Sequence, residues 1–524
     1  MAALITLMVG LLVVVAVLSA LAQRLQIPAA ILLLLGGLLL SFVPGVPSVD
    51  LNPDLVLFLF LPPLIYAAAW QSSWREFRAA LRPILLLAIG LVLVTTTTIA
   101  VVAHAVAGLP WPVAFVLGAI VSPTDAVAAS ATAQSLGLSR RIVTVLEGES
   151  IVNDATGLVI YRFAVAAVVT GAFSLWQASW QFVIVSMCGL LIGLAIAWPV
   201  ARLHRIIDDA LIEITLTLLT PFVAYLCAEA LHLSGVLATL SAGLYLSRQS
   251  ARFFSSNTRL QATAVWSVLV FLLNGLLFLL IGLQLRAILA TIGTASWPAF
   301  IRDALVICLT VILVRVVWVF TATYLPLMVS ARWRRMNPDP GWRNVLLVAW
   351  AGLRGGLSLA AALALPLTIA AGAAFPEREH IIFLTFCVIV ATLVVQGLGL
   401  VPLIRLLGIP ADGTPEQERN HARHVALQAA LARLDELAAE DDMAETSLAH
   451  LRSHYEDKLR QVMAQRDGVE EERDTVIYQR IQTDVLNAER AAVIHLRDQG
   501  HIDDEVLRTI ERELDLEDQR LRRA

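Results

Sequence analysis

From its first residue to about position 410 the chain alternates long apolar stretches with short polar loops, and each stretch approaches the roughly 20 residues needed to cross a bilayer core. Division at charged, Gly and Pro clusters gives thirteen segments, near 3–21, 27–44, 54–70, 82–107, 111–134, 142–170, 179–201, 210–231, 233–247, 263–290, 299–325, 344–370 and 380–407. The first begins without a basic region ahead of it and is followed by an equally apolar one, so it reads as a span and not as a cleaved signal peptide. Beyond 410 the pattern changes. "HVALQAALARLDELAAE" places apolar residues at helical spacing without any spanning run. The last part breaks at Gly500, offers Asp503 as a cap, and resumes with Val506, Leu507, Ile510 and Leu514 on one face. The pattern therefore predicts an all-α polytopic membrane protein, with about thirteen transmembrane helices in residues 1–410 and a soluble helical tail in 411–524. The tail is a solvated helical bundle or a specific sensor.

Composition agrees with a membrane protein: 58% hydrophobic and 15% charged residues, with a mean hydropathy of +0.76. The net charge of -4 matters less than where the bases lie. One set of alternate loops holds Arg24; Arg75, Arg78 and Arg82; Arg140 and Arg141; Arg202 and Arg205; Arg248, Arg252 and Arg259; then Arg332, Arg334, Arg335 and Arg343. The other set holds Arg286, Arg302 and Arg378. The positive-inside bias puts the first set in the cytoplasm, so the N-terminus faces out and the tail lies inside. Cys188, Cys227, Cys308 and Cys387 all fall in apolar runs and read as small hydrophobes. Charges of mixed sign in the tail give no nucleic-acid surface, and nothing calls for a cofactor.

Ionisable residues inside spans are costly and mark functional sites. In "AIVSPTDAVAASA", Asp125 lies about 20 Å along its segment at 1.5 Å per residue, too deep to snorkel. Pro123 removes a helical hydrogen bond beside it, while Ser122 and Thr124 offer hydroxyls to freed backbone groups. An interrupted helix with a carboxylate at the break is expected, as transporters build cation sites; the bland alternative is a proline kink with a buried, hydrogen-bonded Asp. In "EGESIVNDATG", Ser150 and Asp154 share one helix face, and Glu149 and Asn153 share the next. Asp154 with Ser150, plus Thr124 from the broken helix, makes a partial oxygen shell for a hard cation such as sodium, and neutral Asn153 can orient Asp154 or Asp125. Glu147 lies nearest the cytoplasmic end and reads as an entrance or cap residue. In "AWAGLRGGLSLAAALALP", Arg354 needs a buried carboxylate, and Glu149 is the expected partner in a structural ion pair. Arg162 and Arg315 are also intramembrane without an assignable partner, and Glu229 is either interfacial or at the extracellular mouth.

These residues resemble the monovalent cation/proton antiporters, in particular the sodium/proton exchanger branch with bacterial members. The resemblance runs in order through "FLPPLIY", "SPTDAVA", "EGESIVNDATG", "AYLCAEALHLSG" and "GLRGGLSLA". It implies two inverted six-helix repeats with crossed broken helices, a dimerisation and a core subdomain, a homodimer with elevator-type movement, and residence in a bacterial inner membrane. By the same resemblance Asp154 is the ion- and proton-carrying carboxylate, Asn153 its partner, Asp125 and Thr124 the broken-helix contribution, Ser150 a further ligand, and Glu149 with Arg354 the buried pair. Two features depart from relatives: Ala67 to Ala69 follow "PPLIY" where some carry an acid, and the proline of the break stands at 123, before Asp125.

The expected chemistry is competition. Burial disfavours a charged carboxylate and an arriving cation restores it, so proton and cation exclude one another at Asp154. If only the loaded site crosses, exchange is obligatory, and Asn153 in place of a second acid points to electroneutral 1:1 exchange serving pH and sodium homeostasis. A potassium or broad-specificity antiporter is the alternative within transport. A cation channel with a gating tail is the reading from another class, and no catalytic constellation supports an enzyme.

Overall fold

A computed structural model describes residues 2–25, 27–44, 56–72, 74–171, 175–292, 297–329, 340–369, 372–409, 414–439 and 445–467, with isolated positions beyond. Gly500, Asp503, Val506 and Leu507, and the loop arginines Arg332, Arg334 and Arg335, lie outside the described residues. The chain divides into two compact units, Met1–Asp412 and Gly413–Ala524. Among the described residues both are helical, and the only β pairing is an isolated bridge between Thr368 and Ala374.

The first unit contains α1 (Ala2–Leu25), α2 (Ala29–Ser41), α3 (Leu61–Gln71), α4 (Trp74–Ala79), α5 (Leu81–Leu85), α6 (Val92–Ala107), α7 (Trp111–Val121), α8 (Val127–Ser135), α9 (Arg140–Thr170) and α10 (Leu175–Leu203). It continues through α11 (Ala210–Ala230), α12 (Gly235–Phe253), α13 (Ser256–Leu283), α14 (Leu285–Ile292), α15 (Trp297–Val329), α16 (Trp342–Trp350), α17 (Gly356–Leu363), α18 (Arg378–Ala391) and α19 (Gly397–Leu407). The second unit holds α20 (Thr414–Ala439) and α21 (Glu445–Asp467), which pack against each other.

Eight stretches among the described residues are long and apolar enough to cross a membrane: 6–25, 81–107, 140–170, 179–203, 210–230, 256–289, 297–329 and 378–407. The other five expected spans fall on shorter or interrupted elements. α2 and α3 are short apolar helices, α12 carries its polar residues late, and two spans are each split in the middle. Segment 111–134 becomes α7 and α8 around residues 122–126, and segment 344–370 becomes α16 and α17 around residues 351–355. The first split has the predicted local cause, since Pro123 has no N–H to donate. The second contains Gly352 and Gly355, with Gly356 opening the next helix, residues that lower helix propensity by about 1 kcal/mol each relative to Ala.

α15 shows how the bundle is oriented to its solvent. Asp303, Ile307, Val311, Arg315 and Val319 recur every four residues and are buried. Leu305, Leu309, Leu313 and Val317 recur with the same period and are 52–66% exposed. Leucine outside and charge inside inverts the soluble pattern and suits a helix facing lipid on one side and a polar interior on the other. α9 packs on both α7 and α8, on the π-type stretch Leu86–Leu91 that joins α5 to α6, and on α16 and α17, so it faces both breaks.

Candidate functional site at the meeting of two helix breaks

An interrupted helix exposes backbone carbonyls at the end of its first half and backbone N–H groups at the start of its second, with partial charges to match. The two breaks lie against each other: the Asp125 N–H donates to the Leu353 carbonyl at 2.8 Å. A Cβ on Gly355 would collide with the Asp125 carboxylate, so the approach there requires glycine. The same holds for α9, where a Cβ on Gly157 would collide with the Pro123 ring.

Asp125 serves the N-terminal ends. Its Oδ1 accepts from the Val127 N–H at 2.9 Å, capping α8, and its carboxylate rests on Gly355, directly ahead of α17, where no side chain caps. The Ala126 N–H donates to Ser150 Oγ at 3.2 Å, so α9 supplies a further partner to the break. Thr124 Oγ1 donates to Glu149 Oε1 at 2.9 Å and accepts from Asn153 Nδ2 at 2.7 Å.

The arginines serve the C-terminal ends. Arg354, fully buried, donates from Nε to the Val121 carbonyl at 2.7 Å and from Nη1 to the Gly352 carbonyl at 2.6 Å, and its backbone N–H donates to Thr392 Oγ1 at 3.2 Å. Arg315 donates from Nη2 to the Val348 carbonyl at 3.0 Å, close to the end of α16. A cation at a helix C-terminus is favourable, and here it also satisfies carbonyls that lipid could not.

The expected pairing of Glu149 with Arg354 is corrected. Glu149 is paired with Arg315, which bonds both carboxylate oxygens: Nη1 to Oε1, and Nη2 to Oε2 at 2.9 Å. Arg354 feels Glu149 only through space. The physical reason is the second break: Arg354 lies in a non-helical segment whose carbonyls, together with those ending α7, claim its donors, while Arg315 points from α15 towards α9. The signal for Arg315 was present in the sequence, in its four-residue spacing from Asp303, Ile307 and Val311 opposite the leucine stripe. Thr392, at the start of a π-type stretch (Thr392–Gln396), was also missed, although a Thr and a Gln inside an apolar run mark it. Arg162 and Glu229 find each other, Nη2 donating to both oxygens at 2.8 Å at a partly exposed edge.

Asp154 differs from these acids. It lies one turn beyond Ser150 on α9, is half-buried, and makes no ion pair or hydrogen bond among the described residues. Its electrostatic neighbour is Asp125, a like charge. Beside it Asn153 is buried, with Oδ1 lacking a hydrogen-bond partner among the described residues. The predicted residues Thr124, Asp125, Ser150, Asn153 and Asp154 thus gather on α9 and the first break, with Glu149 held behind them by Arg315.

Two interrupted helices whose breaks meet inside an apolar bundle, with carboxylates at the junction, define a multi-pass membrane transporter. The chain belongs to the sodium/hydrogen exchanger family: the model of that family, "Sodium/hydrogen exchanger, transmembrane", matches residues 10–406. An uncharacterized Na(+)/H(+) exchanger of Mycobacterium bovis is 38% identical, with 98% of this chain and 96% of that protein covered. The sodium, potassium, lithium and rubidium/H(+) antiporter of Bacillus pumilus is 35% identical over 81% of this chain and 64% of its own length. Among solved structures, the sodium proton antiporter MjNhaP1 of Methanocaldococcus jannaschii has the same fold, with a TM-score of 0.61 at 20% identity, covering 77% of this chain and 99% of that one.

Proposed function

We propose that the protein exchanges a monovalent cation, sodium in the first place, for protons across a bacterial inner membrane, with Asp154 carrying either ion in turn. The carrying observation is the state of the acids: Glu149 and Glu229 each have an arginine, whereas half-buried Asp154 has none among the described residues and has a second carboxylate, Asp125, as its electrostatic neighbour. Two like charges so placed require a counter-charge, and a proton or a cation supplies it. Sodium is held by Asp154 with Ser150 and Thr124, and Asp125 shares its charge. Ser150 and Thr124 each accept one hydrogen bond and keep a lone pair, and the unsatisfied Asn153 Oδ1 is a further oxygen at the same place.

The remaining architecture follows the family reading: about thirteen spans in residues 1–410, two inverted six-helix repeats, a homodimer, the N-terminus outside and residues 411–524 as a cytoplasmic tail. Exchange is electroneutral at 1:1, because Asp154 alone alternates between proton and cation and neutral Asn153 adds no second carrier. Potassium or broad-specificity exchange is the second reading, favoured by the four cations named for the Bacillus pumilus relative.

The test is pH change in everted vesicles on adding sodium, lithium or potassium, for the natural protein and for Asp154→Asn. Loss of all cation-dependent proton movement in Asp154→Asn is expected, and retained exchange refutes the assignment. In proteoliposomes, sodium-coupled proton movement driven by an imposed potential alone would refute the 1:1 stoichiometry.

A further inference from the structure

A cavity of about 370 Å³ lies at the arginine-rich ends of α5, α9, α15 and α16, and its lining includes none of the residues assigned to exchange. Its walls are apolar, with Leu87, Val145 and Val319 prominent, and its rim carries Arg82, Ser139 and Arg141. Three features of that rim favour an anion together. Ser139, on the cavity rim, is the N-cap of α9, and its side chain makes no capping hydrogen bond, so no side chain closes the start of this 31-residue helix. Arg141 makes no ion pair or hydrogen bond among the described residues. Around them, residues 74–85 and 140–147 hold five arginines (Arg75, Arg78, Arg82, Arg140, Arg141) against two acids, Glu76 and Glu147, and Arg140 stands 3.7 Å from Glu76.

We propose that this cavity binds an anionic phospholipid, with its phosphate held by Arg82, Arg141 and the opening amides of α9, and an acyl chain along Leu87, Val145 and Val319. A helix N-terminus and two guanidinium groups are the recurring means of holding phosphate. Basic pockets between membrane helices suit lipid headgroups. The apolar walls exclude a free phosphate as the natural occupant, since they would be left facing water. The surplus of arginine disfavours a zwitterionic headgroup, whose own cation would meet it. The bound chain lies against Val145, one turn before Glu149, and against Val348, whose carbonyl receives Arg315, so the lipid supports the wall behind the buried ion pair.

The full chain in detergent is titrated with phosphatidylglycerol, phosphatidylcholine or inorganic phosphate, and bound lipid is counted by native mass spectrometry alongside the melting temperature. Phosphatidylglycerol is expected to be retained and to stabilise, and phosphatidylcholine and inorganic phosphate to do neither. Arg82→Gln with Arg141→Gln should weaken retention roughly tenfold or more, because each basic contact is worth several-fold in affinity. Ala322→Phe, which fills the cavity and leaves both arginines in place, should also lose it. Arg202→Gln with Arg205→Gln removes the same charge from another loop and should retain it. Equal loss in that control, equal protection by inorganic phosphate, or unchanged retention in either cavity variant would overturn the proposal.

Discussion

Arg315 grips Glu149 with both terminal guanidinium nitrogens across the interface of α15 and α9, and both side chains are 1% exposed. Thr124 and Asn153 then hang from the same carboxylate in a chain of hydrogen bonds that ends beside Asp154. Breaking a buried pair from one side leaves an uncompensated charge and costs about 3–5 kcal/mol, whereas removing both partners is much milder. Arg315→Met should therefore lower the melting temperature sharply, and Glu149→Gln with Arg315→Met should recover at least half of the loss. A double-mutant cycle of Glu149→Gln with Arg354→Gln should show the smaller coupling. Equal couplings for the two arginines would reject the assignment of Arg315 as the partner.

The Arg162–Glu229 pair differs in geometry, a single nitrogen, Nη2, reaching both carboxylate oxygens, and in environment, with 45% and 22% of the side chains exposed. Exposed pairs contribute about 0–1 kcal/mol, because water already solvates both charges. Glu229→Gln should leave the melting temperature nearly unchanged at 0.15 M salt, and raising salt should change it no further. A loss comparable to that of Arg315→Met would mean that this edge is far drier than its exposure indicates.

Much of the site was legible in the sequence because lipid leaves few options for a charge. Asp125, Asp154, Glu149, Arg315 and Arg354 stand out as ions in apolar runs, and Pro123 announces the first break. The partners were not legible, because pairing depends on where helices stop. "AGLRGGLSLA" resembles a close-packing helix face as much as an interruption, and its glycines fit both. Once residues 351–355 leave the helix, their carbonyls and that of Val121 compete for Arg354, which no spacing rule could foresee. Arg315 was half-visible: its stripe on α15 fixed that it is buried, not which acid it meets.

His204 follows α10 and packs in a dry corner, stacked on Phe253 at 4.7 Å with Phe254 edge-on at 5.4 Å. Burial lowers its pKa from 6.5 to about 4, outweighing the Glu213 carboxylate 3.9 Å from Nδ1. The folded protein therefore holds His204 neutral where the unfolded chain would protonate it. Its contribution is fully present above pH 6.5 and is lost as pH falls towards 4, by about 1–3 kcal/mol at one pKa unit per 1.4 kcal/mol. Melting temperatures between pH 7.5 and 4.5 should fall less steeply for His204→Phe than for the natural protein. Parallel curves would show that another group sets the acid limit.

Gly355 is a point of close approach between the two breaks, and its importance is steric and electrostatic at once. A Cβ there would displace the Asp125 carboxylate from the position where it faces the start of α17 and caps Val127. Gly355→Ala also meets no left-handed backbone at this residue, where φ is -122°, so the collision and not the dihedral would cause any defect. Gly355→Ala is thus expected to assemble as an intact membrane protein yet to lose most exchange, with apparent sodium affinity weakened several-fold. Gly372→Ala, at a φ of +77° with open space around it, should do the reverse, costing about 1 kcal/mol of stability and leaving exchange kinetics unchanged. Both are measured by sodium-dependent dequenching in vesicles normalised to protein, together with the melting temperature. Normal exchange in Gly355→Ala would show that the two breaks can separate without consequence, and that Asp125 does not act from the place where Gly355 holds it.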